Sequence, residues 1–251
     1  MQTEVNLIPI LDDNYVFLLS AENQSKVCLV DPGEAKQCLE VLHKNQLDLQ
    51  AILITHHHAD HIDGIIALKE RFPRAQVFAP IKNKGQIPAV DHYVEDGRKI
   101  DLEFFRFQTI ELPGHTLGIL GYFEYQRNWL FSGDVLFGLG CGRLFEGTPQ
   151  MLFHSLGKIK QLPSETLIFC THEYTSTNLR FTEMLISERK IPKKFNPEIF
   201  QKYKKDVSLQ RSLDKPTVPL QLSIQLKCNP FLLAETVEEL AELRAVRNHF
   251  R

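Results

Sequence analysis

The sequence predicts an α+β protein: a sheet-rich part with helices packed on it, followed by a smaller, all-helical domain. Three observations lead there. Short apolar strands alternate with helical stretches through the first two thirds of the 251 residues. The apolar runs at 104–112, 117–125 and 129–132 follow one another closely enough for a mostly antiparallel sheet. Beyond His172 the strand pattern stops and charged helical periodicity takes over.

In chain order, residues 15–20 and 26–30 read as short apolar strands parted by polar turn residues, and 34–45 as a helix. A fully apolar strand follows at 51–55, then a helix at 62–72 stopped by Pro73, then a short strand at 76–79. After the antiparallel runs, Thr148 is placed to cap a helix with Pro149 in its first turn, running to about Gln161. A last strand is expected at 166–171. Helices at 178–190 and 197–210 come next. Thr236 and Glu239 resemble a capping box for a final helix reaching Phe250. The pattern changes near 165–175, which divides the chain into domains 1–172 and 173–251.

Composition narrows the function. A hydrophobic content of 43% and a charged content of 24% suit a globular protein with a real core. A net charge of −2 argues against bulk electrostatic binding of nucleic acid. The basic residues between Arg189 and Lys205 read as a solvated helical face. The start of the chain is not a secretory signal, and no stretch approaches the length that spans a bilayer. Five scattered cysteines without a CxxC pair fit free thiols used for packing, and a cytoplasmic setting.

The chemistry concentrates in T-H-H-H-A-D-H, Thr55 to His61. On a helix, His56 and His58 would point about 200° apart. At the end of an extended strand, residues i and i+2 share a side, so these two converge and His57 points away. A turn then re-aims Asp60 and His61. Such a cluster at the end of a buried strand costs free energy unless the groups have partners. Metal coordination supplies them, and imidazole with carboxylate suits zinc, iron or manganese. Further candidates stand after apolar runs: His115 in L-P-G-H-T, Asp134 in F-S-G-D and His172 in C-T-H-E. Singly each is weak. Together with the cluster they point to one sheet edge. His43, His92, His154 and His249 have no motif partners and read as surface residues.

These motifs resemble the metallo-β-lactamase superfamily, whose H-x-H-x-D-H appears here as His56 to His61. The resemblance implies a four-layer αββα sandwich carrying two divalent metal ions, zinc first, with iron or manganese as alternatives. By that resemblance His56, His58 and His115 hold one metal, Asp60, His61 and His172 the other, and Asp134 bridges them. Asp31 would support the ligand loop without binding metal. The chain is similar, over essentially its whole length, to the hydroxyacylglutathione hydrolase (glyoxalase II) family, through C-G-R-L-F-E-G-T, T-H-E-Y-T, N-P-F and L-R-A-V-R-N-H-F as well. That family implies hydrolysis of S-D-lactoylglutathione to D-lactate and glutathione, the second step of methylglyoxal detoxification. The attack is by a metal-bridging hydroxide, with Asp60 and Asp134 in the catalytic role. The N-terminal domain would then be catalytic and the C-terminal one would bind substrate, in a monomer acting on a small glutathione thioester.

Arg143, Tyr174, Arg244 and Arg247 match positions that contact glutathione in the family. Without that match, Arg244 and Arg247 would read as a solvated helix face. The chain departs from the family at Phe145, where a Tyr is common, at Arg247, where Lys is usual, at Asn248, where Asp is common, and at Asp63, where Gly is frequent. Rival readings are a lactone or other thioester hydrolase of the same fold, a single-iron sulfur dioxygenase, and a catalytically silent binding module.

Overall fold

The computed structural model describes residues 3–250, in two compact units. The first comprises 3–111, 118–127 and 131–133, the second 112–117, 128–130 and 134–250.

In the first unit, β1 (Thr3–Ile10), β2 (Asn14–Ala21) and β3 (Lys26–Val30) form an antiparallel meander, registered from Thr3 opposite Ala21 to Ile10 opposite Asn14. Helix α1 (Ala35–Lys44) then carries the chain across to β4 (Asp48–Leu53), parallel to β3. A single turn, α2 (Ala59–Ile62), and α3 (Ile65–Arg71) lead to β5 (Gln76–Pro80) and β6 (His92–Val94), again parallel, in the order β1-β2-β3-β4-β5-β6. The central strands are buried throughout, from Val27 to Val30 and from Ala51 to Leu53. Parallel strands covered on both faces read as continuous apolar runs for this reason. β7 (Lys99–Asp101), β8 (Arg106–Glu111), β9 (Leu120–Glu124) and β10 (Trp129–Gly133) stand side by side in that order in a second sheet.

Two cores flank the first sheet. On one face Cys38 and Leu42 of α1 and Ile65 and Leu68 of α3 pack on Val16, Leu18, Leu29 and Ile52. On the other, Phe17 meets Phe131 at 5.5 Å between ring centroids, and Phe107 lies 6.3 Å from Phe131 and 6.4 Å from Tyr122. Burying each such ring contributes about 2–3 kcal/mol. Tyr122 also donates its hydroxyl to Ile54 O at 2.8 Å, bracing the chain where it leaves β4.

The expected helix at 62–72 is two pieces. Its break falls at Asp63–Gly64, where Gly64 N–H leaves the helical ladder and donates to Pro32 O at 2.9 Å. The strand expected at 51–55 ends at Leu53, because Thr55 is drawn off by Asp31. β1 and β6 were not anticipated. β1 is a half-exposed edge strand whose apolar face is too weakly patterned to stand out.

In the second unit, β11 (Leu136–Phe137) and β12 (Gly140–Cys141) form a tight hairpin. Helix α4 (Pro149–Lys160) starts as expected, with Thr148 Oγ1 accepting from Met151 N and Pro149 in the first turn. β13 (Leu167–Cys170) pairs antiparallel with β14 (Leu220–Gln221). Helices α5 (Thr175–Ser187), α6 (Pro197–Ser212) and α7 (Leu222–Cys228) share a core of Leu179, Phe200, Tyr203, Val207 and Cys228, into which Leu139 of the hairpin inserts. A short α8 (Pro230–Leu233) precedes α9 (Val237–His249). The expected cap forms, with Thr236 Oγ1 accepting from Glu239 N at 3.2 Å, but the Glu239 carboxylate accepts from Glu235 N at 2.7 Å, one residue before the cap, and so differs from a strict capping box. The C-terminal part is helical apart from β14, a two-residue strand with no sequence signal.

Candidate metal centre

Groups of histidines and aspartates close enough to hold metal ions occur among the described residues. In the first unit the histidines and aspartate of 56–61 are supported by Asp31. This residue follows β3, is fully buried and takes a left-handed φ of 51°. Its Oδ1 accepts the Thr55 N–H and its Oδ2 the Thr55 hydroxyl, each at 2.7 Å. With its only proton given away, Thr55 Oγ1 can act only as acceptor toward His56 Nδ1, 3.1 Å away. His56 therefore carries its proton on Nδ1 and presents a lone pair on Nε2.

His56 Nε2 faces His58 Nδ1 at 3.1 Å. His57 turns elsewhere, to Asn83 Nδ2 at 2.9 Å, so the strand-end geometry behaves as the alternation predicts. Asp60 and His61 lie within α2, not in an open turn before a helix. His61 Nδ1 is 3.0 Å from Asp31 Oδ2, off line for a full hydrogen bond, and its Nε2 is 3.7 Å from Asp60 Oδ2. Asn14 Nδ2 donates to Asp60 Oδ2 at 3.0 Å and fixes that carboxylate. Gly133 supports the same loop. It holds φ 51°, and a Cβ there would fall 2.5 Å from Thr55 Oγ1. The S-G-D motif thus needs its glycine for both torsion and space.

In the second unit, Asp134 is 7% exposed, with Oδ2 3.5 Å from His115 Nε2 and 3.2 Å from His172 Nε2. His115 donates from Nδ1 to Arg143 O at 2.8 Å, which again leaves Nε2 as the ligand atom. His172 stacks on Tyr174, the rings 4.7 Å apart and within 2° of parallel. The candidate donors are imidazole nitrogens and carboxylate oxygens, and no thiolate is among them. That donor chemistry fits hard to borderline divalent metals.

Arg143 is exposed and lies over the Phe145 ring at 5.5 Å. Phe145, itself exposed, meets the His115 ring edge-on at 5.2 Å. Arg244 is 7% exposed, so it is no solvated helix face. It donates to Cys141 O at 2.8 Å and to Asn248 Oδ1 at 3.1 Å, which gives the Asp-to-Asn departure at 248 a partner. Arg247 donates to Asn178 Oδ1 at 3.0 Å and to Phe250 O at 3.3 Å. Burial, then the neighbouring Arg244 charge, push its guanidinium below its ordinary value. Asp63 sits in the right-handed helical region, so this position needs no glycine.

The five cysteines are buried and free, and burial raises their thiols, Cys38 and Cys228 to about 12. None is a nucleophile at neutral pH. His43, His92, His154 and His249 are exposed, as expected. Sequence reasoning missed Asn14, Thr55 and Asn83 as supports of the ligand loop. Their one signal is a polar residue beside an apolar run, which is too common to single them out.

Two family models match end to end: the metallo-beta-lactamase superfamily over residues 11–172, and the hydroxyacylglutathione hydrolase C-terminus over 173–250. A hydroxyacylglutathione hydrolase of Bdellovibrio bacteriovorus is 49% identical over 97% of both chains. One of Vibrio campbellii is 44% identical over 94% of this chain and 88% of its own length. Among solved structures, ETHE1 from Myxococcus xanthus shares the fold, with a TM-score of 0.71 over 98% of this chain and 91% of its own, at 22% identity. TTHA1623, solved in a di-iron-bound form, has a TM-score of 0.54 at 28% identity, covering 63% of this chain and 87% of its own. The α+β architecture is that of the metallo-β-lactamase fold, and the chain belongs to the hydroxyacylglutathione hydrolase family of that superfamily.

Proposed function

We propose that this enzyme hydrolyses the thioester of S-D-lactoylglutathione and related S-2-hydroxyacylglutathiones, releasing the hydroxy acid and glutathione. The observation that carries the proposal is two candidate ligands, His56 and His115, each with its ring proton placed by a hydrogen bond, together with a C-terminal segment matched throughout by the hydroxyacylglutathione hydrolase model. Residues 1–172 are the catalytic domain in this reading and 173–251 the substrate-binding domain.

His56, His58 and His115 would hold one divalent metal, Asp60, His61 and His172 a second, and Asp134 would bridge them. Zinc is the first choice, and the di-iron form of TTHA1623 supports iron as the alternative. Such ions supply Lewis acidity and lower the pKa of water from 15.7 to about 7. The protein's own groups do the rest. Asp60, pinned by Asn14, orients the attacking water. Thr55, Asp31 and the Arg143 carbonyl keep ring protons away from the ligand nitrogens. Arg143, Arg244 and Arg247 position the anionic glutathione portion, and Tyr174 donates a hydrogen bond to it. The leaving thiolate is stable enough that no strong general acid is needed.

Among the described residues no helix is long and apolar enough to cross a membrane. A monomeric cytoplasmic enzyme is our reading, supported by five free thiols. The test is turnover of S-D-lactoylglutathione beside a panel of lactones and other acyl thioesters, with metal measured on the same sample. Turnover of the glutathione thioester in proportion to bound metal is expected. Preference for a lactone would overturn the substrate, and a protein that recruits no metal would overturn the enzyme.

A further inference from the structure

The hairpin of β11 and β12 lies between Asp134 and Arg143 in the chain, and its backbone polar groups are met by side chains of the C-terminal helices. Asn229 Nδ2 donates to Phe137 O and Gly140 O, each at 3.1 Å. Leu139 N donates to Gln225 Oε1 at 2.9 Å, and Arg244 to Cys141 O at 2.8 Å. Asn178 Nδ2 donates to Gly138 O at 3.0 Å. The three amide residues are at most 3% exposed. The fit is close, since a Cβ on Gly140 would fall 2.3 Å from Asn178 Nδ2.

Asn178 differs from the other two because its second end faces a charge. Its Oδ1 accepts from Arg247 Nε at 3.0 Å, and its own N–H donates to Tyr174 O at 3.0 Å within the first turn of α5. The amide cannot flip: Nδ2 must face the Gly138 carbonyl, and Oδ1 must face the guanidinium. One buried residue thus joins the Tyr174 turn through its backbone, and the hairpin leading to Arg143 and the Arg247 fork through its side chain. A buried amide with both ends engaged is rigid, and it holds the Arg247 plane in one orientation.

We infer that Asn178 is a positioning residue, orienting Arg247 to receive a carboxylate of the substrate's glutathione portion; this rests on the hydrolase reading above. It touches neither the metal ligands nor the reacting atoms, so it acts on substrate affinity and not on the chemical step. Asn178→Ala is expected to raise KM for S-D-lactoylglutathione about tenfold, with kcat within about twofold and bound metal unchanged. In an Arg247→Ala background the same change is expected to add less than about twofold, because its effect runs through Arg247. Unchanged KM, fully multiplicative effects in the double variant, or a joint fall of kcat and metal content would each overturn the inference. If Asn178→Ala proves too unstable to assay, Asn178→Ser serves: it keeps a small polar group in the site but cannot reach both Gly138 O and Arg247, and a similar rise in KM is expected. Unchanged KM in that variant would equally overturn it. A wild-type enzyme inactive on the glutathione thioester removes the hydrolase reading and this inference together. An active wild type with Asn178→Ala behaving identically removes only the inference.

Discussion

The ligand loop at 55–61 and the hairpin at 136–141 carry little regular structure, a single helical turn in one and two two-residue strands in the other, and they are held by different chemistry. The ligand loop hangs on one buried carboxylate. Asp31 takes two hydrogen bonds from Thr55 and contacts His61, and through the Thr55 hydroxyl it sets the His56 tautomer. The hairpin hangs on neutral amides, Asn178, Gln225 and Asn229, joined by the Arg244 cation. A carboxylate orients ring protons and strengthens ligand basicity. Amides fix backbone shape without adding a field. The loop is held mainly by charge, and the hairpin mainly by neutral donors and acceptors.

Four changes sharpen or break that contrast, from the largest effect to the smallest. Asp134→Ala removes a ligand, not a support, and is expected to lower thioester hydrolysis by more than about 100-fold with loss of bound metal. Normal activity at normal metal content would break the two-metal reading. Asp31→Asn keeps the shape of the loop's anchor but not its charge. Metal affinity, read by chelator competition, should fall about 10–100-fold. If it does not, the ligand loop is held by shape alone and the two regions are alike. Replacing Arg244 and Arg247 together by Ala should lower kcat/KM by about tenfold or more, mainly through KM, while metal content stays. Because Arg244 also serves the hairpin through Cys141 O, urea unfolding should show about 1–3 kcal/mol lost as well. Finally, Thr236→Ala removes the α9 cap without touching a candidate ligand or a hairpin contact. It should cost about 1 kcal/mol and lower Tm by about 2–4 °C, with kcat/KM unaltered.

Legibility in the sequence follows the same contrast. The ligand loop was readable because its residues are adjacent and chemically unusual, and Asp31 followed from the family resemblance. The caps at Thr148 and Thr236 were readable because capping is local. The edge strand β1 and the two-residue strands did not show, being too short or too weakly patterned. The break at Gly64 was also hidden, since it depends on Pro32 approaching from a turn more than thirty residues earlier in the chain. The alternative of a solvated face for Arg244 failed for a similar reason: α9 buries that position against the Cys141 carbonyl, about a hundred residues distant in the sequence.

What the sequence alone determined is the kind of chemistry to look for: a histidine and aspartate cluster suited to metal, cysteines without a motif, and a helical segment following a sheet-rich one. These rest on residue type and short-range spacing, which are properties of the chain itself. What only the tertiary structure decided is the state in which those residues are held. That includes the proton on His56 Nδ1, the His115 ring tied to the Arg143 carbonyl, and the Asn178 amide fixed between Gly138 and Arg247. Each depends on a hydrogen-bond partner, and outside the Thr55–His56 pair that partner is brought from far along the chain. Such contacts exist only once folding has closed the intervening loops.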